Sequence, residues 1–298
     1  MPKEKIAFII NPHSGRNTPT DTVDLINKYL DSDRFSPVFY KTEYRGHAKS
    51  LAYLAANEGC KILVAVGGDG TVNEVASANV MLQMPLGIIP TGSGNGLARH
   101  LQIPISVSKA LGIINQNSIQ NIDAGKINDF WFFCTCGVGF DAKIGFKFSK
   151  INQRGFLGYL KTIVKEFRRY NIKKYRFKVD DKKYVRKAFL ITIANASQYG
   201  NNAFIAPDAR IDDGLLDICI VKPFPRWKVF FLAFRLMRGS INQSKYYEFM
   251  RGKTVSFKKP KKKYVLHFDG EPIKFKKEKI QIDIVPKILP VIIPANTK

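Results

Sequence analysis

Three glycine-bearing segments follow apolar runs in the first third of the chain, and their residue types suit the binding of phosphate groups. They are Asn11 to Gly15 (NPHSG), Gly67 to Glu74 (GGDGTVNE) and Thr91 to Gly96 (TGSGNG). Glycines let the backbone approach a polyphosphate closely, and amides at the start of a following helix can donate to its oxygens. The segments therefore predict a site for a nucleotide's phosphates. Asp69 is placed where a metal-bound phosphate or an incoming hydroxyl group would be, and Thr71 could cap the helix whatever the ligand.

Other catalytic patterns are absent from the sequence. A P-loop is excluded because Tyr247 occupies the position of the first glycine before Gly252-Lys253-Thr254. There is no GxSxG or HExxH motif. Gly137 to Ala142 fits GxGxxA, but it falls among predicted antiparallel strands rather than opening a βαβ unit. The four histidines lack zinc-ligand spacing, and the four cysteines form no CxxC pair and are interpreted as buried, reduced thiols.

The elements that must position these segments alternate between strand-like and helix-like patterns up to residue 126. Such alternation predicts a parallel sheet covered by helices, with ligands at the carboxyl ends of its strands. Strands are predicted at 5–10, 36–41, 61–66 and 85–89, and helices near 21–30, 48–57, 72–79 and 96–101.

Beyond residue 126, short strands separated by turn residues predict a mainly antiparallel β-sandwich or barrel. These strands are predicted at 130–136, 175–179, 185–194, 216–221, 253–257 and 264–268. A helix at Phe156 to Tyr170 and an aromatic, basic segment at Arg226 to Arg238 interrupt them. We therefore predict an α/β nucleotide-binding domain at 1–126 and a β-rich substrate domain at 127–298. Whether the carboxyl-terminal residues return to the first domain is left open.

Positive charge is concentrated in the second domain. Residues 1–126 hold 12 Lys and Arg against 10 Asp and Glu, whereas residues 127–298 hold 36 against 14. This asymmetry indicates an anionic partner, either nucleic acid or an acidic membrane surface. The basic run Lys258 to Lys263 is read as a hairpin loop rather than a nucleic-acid patch. With no signal peptide and no apolar run of membrane-spanning length, the sequence predicts a cytoplasmic protein.

Four motifs in order, NPHSG, GGDGTVNE, PTGSGNG and Phe268-Asp-Gly-Glu-Pro272, resemble those of the diacylglycerol kinase catalytic-domain family. That family includes bacterial diacylglycerol kinase-like lipid kinases and is related to sphingosine and ceramide kinases. The resemblance implies an amino-terminal domain similar to that of 6-phosphofructokinases and NAD kinases. It also implies a β-rich second domain, ATP bound between the two, and a lipid that enters from the membrane side.

The resemblance also implies roles for individual residues. Glu271 matches the general base, Asp69 is the rival base, and Asp269 belongs to the same catalytic motif, although Asp269-Gly270 would also form an ordinary hairpin turn. The positions that match nucleotide contacts are Asn11, Pro12, His13, Ser14, Gly15, Thr42, Gly67, Gly68, Asp69, Gly70, Thr71, Val72, Asn73, Glu74 and Ser93.

Two metal sites are implied in the same way. Asp213, with the backbone carbonyls of Arg210 and Leu215, matches a structural Mg²⁺ loop, and Asp123 matches an acidic residue that holds the catalytic Mg²⁺ through water. Mixed oxygen ligands of this kind suit Mg²⁺. One departure from the bacterial pattern is Gly96, which stands where an aspartate usually joins the metal–water network. The departure bears more on the identity of the lipid than on the kinase chemistry.

The resulting prediction is a lipid kinase dependent on ATP and Mg²⁺, with diacylglycerol as the favoured substrate. A sphingoid-base, ceramide or phosphatidylglycerol kinase, an NAD kinase-like enzyme and a non-catalytic basic binding module are the alternatives. The predicted partner is a lipid at an anionic membrane surface and not a nucleic acid, and a homodimer is left open. Basic segments interleaved with Phe146, Phe148, Phe156 and the Trp227 to Phe234 stretch predict peripheral membrane association.

Overall fold

The computed structural model describes residues 2–15, 18–148, 164–258, 265–274 and 279–295. The chain forms two compact units. The first comprises residues 1–124 and 286–298, and the second comprises residues 125–285. Strands β5 (Ile119–Ile127) and β16 (Lys279–Ile292) each run from one unit into the other.

The first unit is built on a parallel sheet, as predicted. Its strands are β1 (Glu4–Ile10), β2 (Phe35–Lys41), β3 (Ile62–Gly67) and β4 (Leu86–Pro90), arranged in the order β2-β1-β3-β4. Strand β16 lies next to β4 in the sheet, where its Val291 pairs in parallel with Leu86 of β4. The register places Ile10 opposite Val66, and Gly67 opposite Pro90. The loops that follow β1, β3 and β4 therefore begin at one edge of the sheet.

Five helices accompany this sheet in the described part of the chain. They are α1 (Pro19–Tyr29), α2 (His47–Asn57), α3 (Asp69–Leu82), α4 (Gly96–His100) and α5 (Val107–Gln116). Helix α5 was not predicted from the sequence. Its signal was the helical spacing of Val107, Ala110, Leu111 and Ile114, all of which are buried.

The second unit contains two antiparallel layers. Besides β5 and β16, its strands are β6 (Phe130–Phe132), β7 (Thr135–Gly139), β8 (Lys173–Val179), β9 (Lys182–Ala188), β10 (Leu190–Ala194), β11 (Leu216–Val221), β12 (Tyr247–Gly252), β13 (Thr254–Lys258), β14 (Val265–Phe268) and β15 (Glu271–Lys274). One layer has the order β12-β11-β10-β7-β14-β15, and in the other β13 pairs with both β8 and β16 while β9 pairs with β8.

A shared hydrophobic core joins the two layers of the second unit. Val138 and Ile218 from one layer pack in the same buried cluster as Phe177, Phe257 and Ile282 from the other. Two layers packed on a common apolar core form a sandwich, which confirms the predicted fold of this half.

The helices of the second unit differ from the expectation in two places. Helix α6 (Phe140–Phe148) was not predicted, and it begins directly after β7. Helix α7 (Val229–Met237) follows a 3₁₀ turn at Arg226–Lys228, and both lie within the aromatic, basic segment 226–238. Of the predicted helix at 156–170, residues 164–168 are helical, and residues up to 163 lie outside the described part.

Two predicted strands are each divided in the structure. The stretch 185–194 contributes to β9 and β10, and the stretch 130–136 contributes to β6 and β7. The basic run at 258–263 lies outside the described residues after Lys258. All four cysteines are buried and form no disulfide bond, as predicted. Among the described residues, no helix has the length and apolarity needed to cross a bilayer.

Candidate active site

The three glycine-bearing segments meet at the carboxyl edge of the parallel sheet. A Cβ atom on Gly92 would lie 2.5 Å from the Cα of Gly68, and a Cβ on Gly15 would lie 2.9 Å from the carbonyl oxygen of Thr91. Real Cβ atoms do not approach backbone this closely, so these positions require glycine. The residue types that suggested phosphate binding thus also allow the three segments to pack together.

Hydrogen bonds hold the packed segments in place. The Asn11 Nδ2 atom donates to Thr71 Oγ1 at 3.0 Å, and the hydroxyl groups of Ser14 and Thr91 lie 2.7 Å apart. The Thr91 amide donates to the carbonyl oxygen of Gly67 at 2.9 Å. These bonds tie each segment to another and leave a fixed set of backbone groups around the start of α3.

Asp69, the first residue of α3, joins the second segment to the third. Its Oδ2 accepts the amide of Asn95 at 2.8 Å, and its Oδ1 accepts the amide of Gly96 at 2.6 Å. Burial raises the pKa of Asp69, although these two amides act to lower it. Because both oxygens already accept backbone hydrogen bonds, the geometry favours a positioning role for Asp69 over the role of base.

Other residues that were predicted to contact the nucleotide lie in the loops around this edge of the sheet. Glu74 Oε1 accepts the amide of Gly46 at 2.7 Å, and its Oε2 accepts that of Ala48 at 3.1 Å, so Glu74 fixes the start of α2. Thr42 follows β2 and is buried, with its amide bonded to the carbonyl oxygen of Ile10. The remaining positions lie in the same segments or in the first turns of α3: Pro12, His13, Gly70, Val72, Asn73 and Ser93.

In the second unit, the Asp269-Gly270 turn connects β14 to β15. Both residues have a positive φ, 44° and 82°, which suits a two-residue hairpin loop. Asp269 has a further role. Its Oδ1 accepts the amides of Cys134 and Thr135 at 2.8 and 3.0 Å, and its Oδ2 accepts that of Phe133 at 2.8 Å.

Asp269 therefore anchors the turn that precedes Glu271. Glu271 is the first residue of β15, is partly buried, and pairs with Phe268 across the hairpin. A carboxylate that accepts three amides is well suited to orient its neighbour and poorly suited to remove a proton itself. Of the two acidic residues in this motif, the structure favours Glu271 as the base.

A buried polar cluster that the sequence analysis missed lies beside this hairpin. Asp141 Oδ2 lies 2.9 Å from His267 Nε2 on β14, and accepts the hydroxyl groups of Thr192 and Tyr199, each at 3.2 Å. Its Oδ1 accepts the amide of Ala142 at 2.7 Å. The signal available in the sequence was the GxGxxA segment, which does open a helix, but after an antiparallel strand rather than in a βαβ unit.

This cluster predicts an acid-sensitive contribution to stability. Burial opposes ionisation of Asp141, but the charge and hydrogen bond of His267, with the bonds from Ala142 and Thr192, outweigh burial and lower the pKa of Asp141. A lowered carboxyl pKa contributes stability that is present above the ordinary value, 3.8, and is lost as the pH falls through the lowered value.

We therefore expect Asp141→Asn to reduce the free energy of unfolding by about 1–3 kcal/mol near neutral pH. The difference from the wild-type protein should shrink as the pH falls below 3.8. Urea unfolding at a series of pH values measures both effects. A difference that stays constant down to about pH 3 would show that ionisation of Asp141 is not its source.

The metal-binding positions fit Mg²⁺ only in part. Among the described residues, no group of three or more His, Cys, Asp or Glu side chains is arranged to hold a metal ion. Asp123 is fully buried, and its Oδ1 accepts the amide of Lys287 at 2.7 Å. This bond connects β5 to β16 within the first unit. The role of Asp123 in holding the catalytic Mg²⁺ through water stays a prediction.

The proposed structural metal loop forms a single turn between Arg210 and Leu215. Asp213 Oδ1 accepts the amide of Leu215 at 3.0 Å, and Gly214 between them has a φ of 70°. Arg210 is largely exposed, with its Nε 3.8 Å from Asp212 Oδ1. The turn supplies oxygen donors of the right kind, and its use as an Mg²⁺ site stays a prediction.

Comparison with family models places two domains along the chain. Residues 5–127 match the diacylglycerol kinase catalytic domain, and residues 134–293 match the YegS C-terminal NAD kinase beta sandwich-like domain. The two matched regions include all three glycine-bearing segments, Asp69 and the hairpin that bears Glu271.

Curated relatives of the chain include proteins named as lipid kinases. The chain is 30% identical to a probable lipid kinase YegS-like of Pseudomonas aeruginosa over 85% of its length and 83% of that protein. It is 27% identical to a diacylglycerol kinase of Staphylococcus saprophyticus over 74% and 73% of the two chains. An uncharacterized protein of Synechocystis is 30% identical over 72% of this chain. The chain spans about half (52%) of the length of that relative.

Solved structures show the same fold at low sequence identity. A putative diacylglycerol kinase from Bacillus anthracis superposes with a TM-score of 0.78 and 21% identity over 99% of both chains. Yeast NADH kinase superposes with a TM-score of 0.57 and 9% identity over 97% of this chain and 83% of the other. The NAD kinase-like fold predicted for the chain is thereby confirmed. The family models and the Pseudomonas relative show that the chain belongs to the diacylglycerol kinase-like lipid kinase family.

Proposed function

We propose that the protein transfers the γ-phosphoryl group of ATP to the hydroxyl group of a membrane lipid, and that this lipid is diacylglycerol. The observation that carries the proposal is the packing of three glycine segments around the start of α3. The backbones of these segments approach each other so closely that a Cβ atom on Gly92 would lie 2.5 Å from the Cα atom of Gly68. Backbone amides at a helix start and at glycine turns are the groups that bind phosphate oxygens most readily.

The proposed reaction divides its tasks among residues described above. Backbone amides of the first unit bind and orient the phosphates. In the second unit, the carboxylate of Glu271 accepts the proton of the lipid hydroxyl group as that oxygen bonds to the γ-phosphorus. The bond between this phosphorus and the bridging oxygen breaks, and ADP leaves. Positioning and electrostatic stabilisation are most of what phosphoryl transfer requires of a protein.

Mg²⁺ belongs to this proposal as a companion of the ATP substrate. Mg²⁺ retains several waters and binds substrate phosphates together with only one or two carboxylates, so a complete protein cage is not needed. It would supply charge neutralisation on the phosphates. Asp69 and Asp269 contribute by holding the loop and the hairpin in place through their amide contacts.

The choice of diacylglycerol rests on similarity to proteins of that name and on the motif order. The glycine at position 96 departs from the bacterial pattern, so other lipids stay alternative substrates. The Gly96 amide donates to Asp69, so the departure leaves the loop contact in place. The substrate panel below identifies the lipid.

A substrate panel tests the proposal. The protein is incubated with labelled ATP and Mg²⁺ and with mixed micelles that present diacylglycerol, a sphingoid base, ceramide or phosphatidylglycerol, and NAD is offered in a parallel reaction. We expect label in diacylglycerol. Label in another lipid would replace the substrate but keep the lipid kinase assignment. Label in NAD, or in no acceptor, would overturn it.

A further inference from the structure

The 3₁₀ turn at Arg226–Lys228 and helix α7 present large aromatic side chains to solvent. Phe230 is 82% exposed, Trp227 is 70% exposed and Phe234 is 56% exposed, and Phe231 and Met237 are also about half exposed. Phe230, Phe234 and Met237 follow helical spacing and share one face of α7. Single exposed apolar residues are ordinary, but a contiguous group of five marks an interaction surface. We call these five residues the α7 aromatic face.

The opposite side of α7 holds the helix on the second unit. Leu232 is buried and Leu236 packs against the same cluster, which includes Val221, Ile241 and Tyr247. The spacing of Leu232 and Leu236, four residues apart, places them on one line of the helix. Since this line is already packed, the aromatic face cannot turn inward without losing buried contacts.

Positive charge surrounds the α7 aromatic face. Residues 218–247 contain six Lys and Arg and no Asp or Glu. The Lys228 Nζ lies 4.1 Å from the centre of the Trp227 ring, and Arg235 and Arg238 lie 5.0 and 5.4 Å from the rings of Phe231 and Phe234. Cations and aromatic rings thus occupy the same surface. This combination fits an interface where acyl chains and anionic headgroups meet.

We propose that the α7 aromatic face docks on the surface of an anionic lipid bilayer, with its rings at the acyl boundary and its Lys and Arg side chains among the headgroups. The inference deepens the proposed function and rests on it, because it names the surface by which a lipid kinase would reach its substrate. A second copy of the chain is a poorer occupant. Pairing two such faces would bring like charges together.

Fluorescence of Trp227 provides a direct test. The chain has two tryptophans, so Trp131→Phe leaves Trp227 as the reporter. We expect its emission to shift to the blue when vesicles of phosphatidylcholine and phosphatidylglycerol are added, and to be quenched by brominated acyl chains. Vesicles of phosphatidylcholine alone should bind more weakly, and salt should reduce binding to the anionic vesicles.

Two matched double variants distinguish vesicle binding through this face from nonspecific hydrophobic adsorption. The double substitution Phe230→Ser with Phe234→Ser removes two exposed rings, and co-sedimentation with the anionic vesicles should weaken by about tenfold or more. The control is Leu54→Ser with Met81→Ser, two exposed apolar side chains of the first unit, which should bind vesicles as the wild-type protein does. Equal binding by all three proteins would overturn the inference.

Two further measurements distinguish the remaining outcomes. If light scattering shows a dimer that the Phe230→Ser with Phe234→Ser protein cannot form, while vesicle binding is unchanged, the face is a dimer interface and the inference is wrong. Phosphorylation of a short-chain, monomeric diacylglycerol tests the kinase function separately, and it should be unaffected by these variants. Loss of vesicle binding without any lipid product in the wild-type protein would overturn the proposed function and leave the docking surface standing.

Discussion

The Glu271→Gln protein is expected to lose kcat by about a hundredfold or more while it keeps its fold and its affinity for ATP. Glutamine preserves the size of the side chain and removes its capacity to accept the proton of a lipid hydroxyl group. The hairpin should persist because Asp269 and its three amide contacts anchor the turn independently of residue 271. Steady-state kinetics with a micellar lipid and calorimetric titration with ATP measure the two quantities.

Glu4→Gln is the matched control for this prediction. Glu4 is an exposed residue at the amino end of β1, at the opposite end of the strand from the first glycine-bearing segment, and its substitution should leave kcat unchanged. If Glu271→Gln retained wild-type kcat, Glu271 would not be the base. Asp69 would then be the favoured candidate for the base.

The Asp69→Ala protein should be altered in a different way, by losing both stability and ATP affinity. Removal of the carboxylate leaves the amides of Asn95 and Gly96 without their acceptor in a buried setting. We expect the free energy of unfolding to fall by roughly 2–4 kcal/mol. We also expect ATP to bind at least about tenfold more weakly, because the second and third glycine segments lose the contact that fixes them.

Urea unfolding and calorimetric titration report these losses, with Asp24→Ala on the exposed side of α1 as the control. An Asp69→Ala protein with wild-type stability and ATP affinity but with kcat lowered by orders of magnitude would contradict the positioning role. That result would instead identify Asp69 as the base. The two substitutions therefore decide between the rival bases by the kind of parameter that each one changes.

The meeting of the three glycine-bearing segments at one sheet edge was predictable because its determinants are local. Each glycine segment follows a continuously apolar strand, and parallel strands bring their carboxyl ends to one edge. What the sequence could not show is which side chain bonds to which loop. Asp69 was assigned to catalysis from its neighbours in the chain, but its partners lie 26 and 27 residues away, in the third segment.

Contacts between residues far apart in the sequence also explain the other features that were not predicted. Asp269 bonds to amides 134–136 residues distant, and Asp141 meets His267 across 126 residues. No local periodicity encodes such pairs, since strand order within a sandwich decides them. Helix α5 is different, because its apolar spacing was visible in the sequence. Helix α6 was obscured by the glycines that precede it, which are equally compatible with an antiparallel turn.

The pairing of β16 with the first unit has a consequence for the order in which the protein can be completed during synthesis. Val291 pairs beside Leu86, the amide of Ile293 bonds to Ser118, and Leu289 and Ile292 are buried. A nascent chain that has emerged only as far as residue 126 therefore has an unfinished sheet, with the edge of β4 still unpaired. Open strand edges of this kind invite pairing with other chains. The first unit to leave the ribosome is thus the last to be complete, and it depends on a segment made after the whole second unit.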